Sequence, residues 1–174
     1  TTDKAIASVL SNLVQHPEQL AAVRADHGLI PAAFAETLRH SPPVHMIMRQ
    51  PAEDVELSGG TVAAGTTVTC LIGAANRDPA QYARPDEFDI HRPDLDQGRA
   101  YTAGANHTAF ALGRHFCVGA LLARTELETA VAHLLDAMDD IRFADGGPPP
   151  ERGVFTRAPA QLRLTFTPTG RSPR

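Results

Sequence analysis

The chain has 174 residues, 43% of them hydrophobic and 21% charged, with a net charge of −4, enough for one domain that buries roughly 70% of its unfolded surface. Sixteen Lys and Arg stand against twenty Asp and Glu with no basic block, which argues against a nucleic-acid partner. No apolar run nears the roughly 20 residues that span a bilayer and no signal peptide is visible, so no membrane partner is expected.

The chain opens without Met on "TTDKAIASVLSNLV", already in mid-pattern, and further sequence upstream is expected. Residues 1–15 read as a helix: Thr1, Ala5, Val9 and Leu13 recur every four residues, and Ile6, Leu10 and Val14 widen the stripe. "HPEQLAAVRADHG" predicts a short second helix with Pro17 in its first turn and Gly28 as its stop. Pro31 opens a third, "PAAFAETLRH", which "SPP" ends. Short β-like runs then flank a Gly59-Gly60 turn, with Val68, Cys70 and Ile72 alternating.

Residues 73–108 carry few periodic apolar positions, and so long an irregular stretch is expected to serve a purpose. After Cys117, Ala120, Ala123, Leu127, Ala130, Val131, Leu134 and Met138 share one face of a long helix. "GGPPP" breaks the chain, and "AQLRLTFTP" reads as the last strand of a terminal hairpin. The expected class is mainly α with a minor β region.

Two cysteines, Cys70 and Cys117, allow at most one disulfide, and a reducing cytoplasm is the default location. Cys117 sits just before the long helix, where free N–H groups and the helix dipole favour a thiolate, with Arg114 and His115 adding positive charge. Four readings stand: a buried structural cysteine, a zinc ligand lacking the usual partner spacing, a redox thiol with Cys70 as its only resolving partner, or an axial thiolate to haem iron.

The stretch Phe110-Ala111-Leu112-Gly113-Arg114-His115-Phe116-Cys117-Val118-Gly119 resembles the haem-binding loop of the cytochromes P450, Phe-Gly-x-Gly-x-(His/Arg)-x-Cys-x-Gly. Ala111 replaces the first glycine, a strained choice if the turn there demands positive φ. The resemblance implies haem b as cofactor, with Cys117 as its iron ligand. Phe110 would pack beside the sulfur, Gly113 and Gly119 would permit close approach, and His115 would bind a propionate. Glu36 and Arg39 resemble the family's Glu-x-x-Arg pair. The third member of that network comes from a Pro-Glu-Arg-Phe-like segment, here Pro85-Asp86-Glu87-Phe88, with His91 or Arg92 as the substitute cation. Arg49 falls where the family places a guanidinium on a propionate. Asn76, Arg77 and Asp78 read as structural. Thr1 matches the family's oxygen-side threonine, sixteen positions before Pro17.

The resemblance spans essentially all 174 residues but only the C-terminal portion of the P450 fold. It implies a monooxygenase that inserts one atom of O2 into a small hydrophobic substrate, a natural-product intermediate among the candidates. Val44, His45, Met46 and Ile47, with Val154, Phe155 and Thr156, are the expected substrate-side residues. Electrons would come from a ferredoxin-type carrier and its reductase, docking outside Cys117 with Arg114 as a contact, and the missing N-terminal part of the same protein is a further expected partner. The alternative is a stand-alone remnant of the family that binds haem without catalysis, or serves only as an interaction module.

Overall fold

A computed structural model describes residues 1–170. Helix α1 (Thr2–Gln15) follows the expected stripe, burying Ala5, Val9, Leu10 and Leu13; Thr1 stands just outside it as the N-cap. Helix α2 (Pro17–Ala25) begins at its proline as expected. It does not run to Gly28. Asp26 leaves the helical conformation and its carboxylate accepts the Gly28 N–H at 2.8 Å, so the stop is an Asx-type turn that the aspartate builds. Helix α3 (Ile30–His40) carries Pro31 in its first turn and ends at Ser41.

The β region is a set of separate antiparallel pairs. Strand β1 (Met46–Arg49) pairs with β4 (Val68–Leu71), and between them β2 (Val55–Leu57) and β3 (Gly60–Val62) form a hairpin. Gly60, at φ +129°, adopts a conformation that side chains resist. Ile72 leaves the strand alternation and opens a one-turn helix, α4 (Ile72–Ala75). Helix α5 (Ala120–Ala137) is the long helix, with Ala120, Leu127, Val131 and Leu135 buried. Met138 does not extend it. It opens β5 (Met138–Phe143), which pairs with β8 (Leu164–Pro168) and brackets the short pair β6 (Glu151–Arg152) and β7 (Ala158–Pro159). The hydrophobic core joins α1, α3 and α5 to apolar residues of the irregular stretch, among them Tyr82, Phe88, Ile90 and Leu95.

That irregular stretch is organised by charge. Glu36 and Arg39, one turn apart on α3, have no measurable exposure, and Arg92 is 4% exposed. All five N–H groups of Arg39 are used: two donate to the Glu36 carboxylate at 2.7 and 2.8 Å, and three to the carbonyls of Asn76, Pro85 and Glu87 at 2.8–3.0 Å. Arg92 donates to Glu36 at 3.3 Å, to Asp94, and to the carbonyls of Ala83, Arg84 and Glu87. Glu36 Oε1 also accepts the Asp89 N–H at 2.9 Å. Of the two cations the sequence offered, Arg92 enters the network, while His91 is exposed. The Glu87 side chain stays outside it, paired with exposed Arg84.

Breaking a buried, fully hydrogen-bonded ion network by removing one partner costs about 3–5 kcal/mol. Glu36→Gln is therefore expected to lower stability by roughly that amount, read as a fall in the urea midpoint with an unchanged slope. A loss below about 1 kcal/mol would mean that water already solvates the pair.

Candidate functional site

Asn76 links the charged network to the cysteine loop. While its carbonyl accepts from Arg39, its side-chain NH2 donates to the Leu38 carbonyl at 3.1 Å, and its Oδ1 accepts both the N–H and the hydroxyl of Thr108 at 2.8 Å. Arg77 binds the His40 carbonyl, and Asp78 caps the Ala80 N–H at 2.8 Å. From Thr108 the chain folds into a tight loop. Ala111 N–H donates to the Thr108 carbonyl at 2.9 Å, Phe116 N–H to Gly113 at 3.0 Å and Cys117 N–H to Phe110 at 2.9 Å. A short 3-10 turn, Gly113–His115, carries the middle of the loop, and Gly119 is the N-cap of α5.

Two residues of the loop occupy the left-handed region, Ala111 at φ +61° and Gly113 at φ +63°. The strain anticipated for Ala111 is therefore present. A methyl group on Gly113 would meet no atom within 4 Å, so its glycine answers to backbone conformation. Gly119 has an ordinary φ of −87°, and a Cβ built there would lie 3.8 Å from the Cys117 sulfur, so glycine keeps that side of the thiol bare. Behind the loop, Phe110 contacts the rings of Tyr101, His107 and Phe116.

Cys117 is exposed on the wall of a cavity of about 480 Å³. Of the residues singled out in the sequence, Thr1, Val44, Ile47, Arg49, Phe110, Ala111, His115, Cys117 and Gly119 all line this one space. His45, Met46, Val154 and Phe155 do not. The His45 ring lies over Gly73, filling the place where a Cβ would come within 2.7 Å. Its backbone N–H donates to the Phe155 carbonyl at 2.8 Å, and Val44 bridges Thr156, so residues 154–156 run beside β1. Val154 and Phe155 are 66% and 53% exposed. The Glu36, Arg39 and Arg92 network also lies outside the cavity and supports it through Asn76. Sequence reasoning missed Thr2, Leu122 and Glu126 on the cavity wall. Positions 119, 122, 123, 126 and 127 recur at helical spacing, so continuing that face from the loop into α5 would have found two of them.

The lining is apolar along Leu38, Val44, Ile47, Ile72 and Phe110, and Arg49 and His115 also belong to it. Arg49 makes one hydrogen bond, to the Met48 carbonyl at 2.8 Å, and no ion pair among the described residues. A single bare thiol, an apolar lining and the guanidinium of Arg49, which has no ion pair among the described residues, fit an apolar group with acidic edges. The described residues hold no group of three His, Cys, Asp or Glu arranged for a metal ion. An iron bound here would therefore take its remaining ligands from outside the protein, as a porphyrin provides. The cavity lies within the size range of pockets that hold cofactors, about 300–1,000 Å³.

The sequence profile of the family Cytochrome P450 matches residues 1–139. The chain is 43% identical over 164 residues to pulcherriminic acid synthase of Bacillus subtilis (strain 168), covering 94% of this chain and 40% of that protein. It is 39% identical over 145 residues to the biotin biosynthesis cytochrome P450 of the same organism, covering 83% of this chain and 34% of that protein. Among solved structures, cytochrome P450 CYP109Q5 from Chondromyces apiculatus superposes with a TM-score of 0.86 at 37% identity, covering 98% of this chain and 42% of that one. P450BioI in complex with hexadec-9Z-enoic acid ligated acyl carrier protein gives 0.82 at 36%, covering 95% and 40%. The chain belongs to the cytochrome P450 family, whose cofactor is haem b, and it spans about 40% of the length of the relatives it matches first. No helix among its described residues is long and apolar enough to cross a membrane.

Two predictions follow from this geometry. Ala111→Gly relieves a left-handed alanine and is expected to raise stability by up to about 1 kcal/mol, whereas Gly113→Ala should lower it by about 1–2 kcal/mol; thermal melts of both variants give the comparison. Burial pushes the His107 imidazole down from its ordinary 6.5 to about 4, and burial reinforced by Arg77 does the same to His40. Between those values the unfolded chain binds protons that the folded chain does not. Stability is thus complete above pH 6.5 and is expected to fall by on the order of 1 kcal/mol per pH unit for each imidazole on acidification towards 4. Urea midpoints across that range should flatten in the His40→Gln variant.

Proposed function

We propose that the protein containing this chain is a haem-thiolate monooxygenase acting on a small hydrophobic molecule. The observation that carries this reading is the convergence of Cys117, Arg49, His115 and Thr1 on one apolar cavity. Cys117 would hold the iron, Arg49 and His115 would receive the propionates, and Phe110, Gly113 and Gly119 would shape the sulfur side. A bound haem supplies reductive activation of O2, so that one oxygen atom enters the substrate and the other leaves as water.

The chain's own residues would do the rest. The guanidinium of Arg49, planar and permanently charged, suits a carboxylate at the cavity edge. Ala111 and the ring of Phe110 would limit water near the sulfur, and low water content strengthens each charge interaction there. The Thr1 hydroxyl, at the other wall, would hold and release a proton towards the cavity. Val44 and Ile47 present branched apolar side chains to the same space and would contact substrate. His45, whose ring rests on Gly73, would act by supporting β1.

The two Bacillus subtilis relatives carry the names of biosynthetic enzymes, and P450BioI was solved with a fatty acid carried on a protein. They support an oxidation step in the making of a hydrophobic metabolite. Electrons would come from a ferredoxin-type carrier with its reductase. Arg114, Leu112, Val118 and Leu121 are exposed and lie within five positions of Cys117 in the chain, and they would form its docking face.

The test is spectroscopic. Purified protein loaded with haem, reduced and exposed to carbon monoxide, is expected to give a thiolate-type Soret shift that Cys117→Ser abolishes. A spectrum that survives Cys117→Ser would overturn the ligand assignment, and haem binding without turnover would favour the non-catalytic remnant. Thr1→Ala is expected to divert electrons from product to hydrogen peroxide several-fold, measured as product formed per electron donor oxidised.

A further inference from the structure

Ala111 stands at φ +61° where the family pattern has glycine. A residue with a Cβ is uncommon in that region and persists only where its surroundings over-determine it. Here they do so from both sides. The Ala111 N–H donates to the Thr108 carbonyl at 2.9 Å, and Thr108 is itself held twice by Asn76 Oδ1, through its N–H and its hydroxyl, each at 2.8 Å. Asn76 is 1% exposed, and its NH2 donates to the Leu38 carbonyl at 3.1 Å, which anchors the clamp on α3. Next to Ala111, the Phe110 ring is packed against Tyr101, His107 and Phe116, and the Phe110 carbonyl accepts the Cys117 N–H at 2.9 Å.

The strained residue lines the same cavity as the exposed Cys117. Of residues 111–115 only Ala111 is half-buried; Leu112, Gly113, Arg114 and His115 are exposed. With glycine at 113 and 119, the Ala111 methyl is the small apolar group that the loop adds beside Phe110 on the cavity wall. The apolar shell around a metal ligand decides how much water reaches it, and with that the potential of the metal. Resting on the haem-thiolate reading above, we infer that Asn76 and Thr108 hold Ala111 in its left-handed turn so that its methyl keeps water from the Cys117 sulfur and sets the reduction potential of an iron bound there. Reduction adds a negative charge to a site that already contains a thiolate, and nearby water stabilises that added charge. A dry sulfur therefore favours the oxidised form and keeps the potential low. Ala111 acts through Cys117, and Asn76 and Thr108 act through Ala111, so all three are positioning residues.

The experiment measures two quantities on the haem-loaded protein, the reduction potential by redox titration and the urea midpoint of unfolding. Ala111→Gly is expected to keep the thiolate-type carbon monoxide spectrum, to unfold at higher urea and to move the potential to more positive values. A more stable protein with an unmoved potential would show a purely structural alanine and overturn the inference, as would a shift to more negative potential. Thr108→Val, which removes the clamped hydroxyl, is expected to lower the urea midpoint and raise the potential. In the Ala111→Gly background no strain remains to be held, so the same change should lower the midpoint less and leave the potential where glycine put it. Equal effects of Thr108→Val in the two backgrounds would overturn the clamp. Thr108→Ser keeps both groups that Asn76 binds and should behave as the parent does. A parent without the thiolate spectrum would overturn the haem-thiolate reading and the inference with it, whereas a parent that shows the spectrum leaves the potential of Ala111→Gly to decide the inference alone.

Discussion

The Glu36 carboxylate is the point on which the rest of the structure depends. An ion with no exposure to water is stable only when its lone pairs are occupied, and here two guanidiniums and the Asp89 N–H occupy them. The cations need acceptors in turn and find them in carbonyl groups of residues 76–87. A stretch with no regular hydrogen-bonding ladder is thereby held against α3. Asn76, on the edge of this cluster, holds Thr108, and Thr108 starts the loop that presents Cys117. The position of the thiol follows from a buried charge balance that never touches it.

Helices were the most legible part of the sequence because their periodicity is local. Ala5, Val9, Leu10 and Leu13 of α1 and Ala120, Leu127 and Val131 of α5 are buried as the periodicity requires, while Leu135 is buried in place of Leu134 and α1 also buries Ser8, Ser11 and Asn12. Ends were less legible: α2 stops at Asp26 through a side-chain hydrogen bond, and Met138, apolar and in register with α5, turns into a strand because β8 pairs with it. The choice between His91 and Arg92 had no sequence signal. It is decided by which side chain reaches Glu36 across the fold.

The cysteine loop was readable because its chemistry is compressed into ten neighbouring positions. The remainder of the cavity is assembled from distant segments, and there sequence adjacency misled. Ile47 and Arg49 enter the cavity while Met46 and Met48 do not, as alternation along β1 requires, whereas Val44 enters and His45 does not from the segment before the strand. Residues 154–156 lie beside β1 through backbone bonds, with two of their side chains directed to solvent. The Glu126 to Thr2 contact joins residues 124 positions apart, so no local pattern could announce it.

Arg39 and Arg92 grip residues 83–87 by their carbonyl oxygens, and a carbonyl is the same whatever side chain stands beside it. The segment is therefore held by its path. Glutamate at position 87, where the family resemblance led us to expect arginine, is accommodated because its carboxylate points away from the network, to Arg84. Side chains there are free to drift, whereas a single inserted or deleted residue would carry every acceptor out of reach at once. For this part of the molecule, length is the inherited instruction and composition is open to variation.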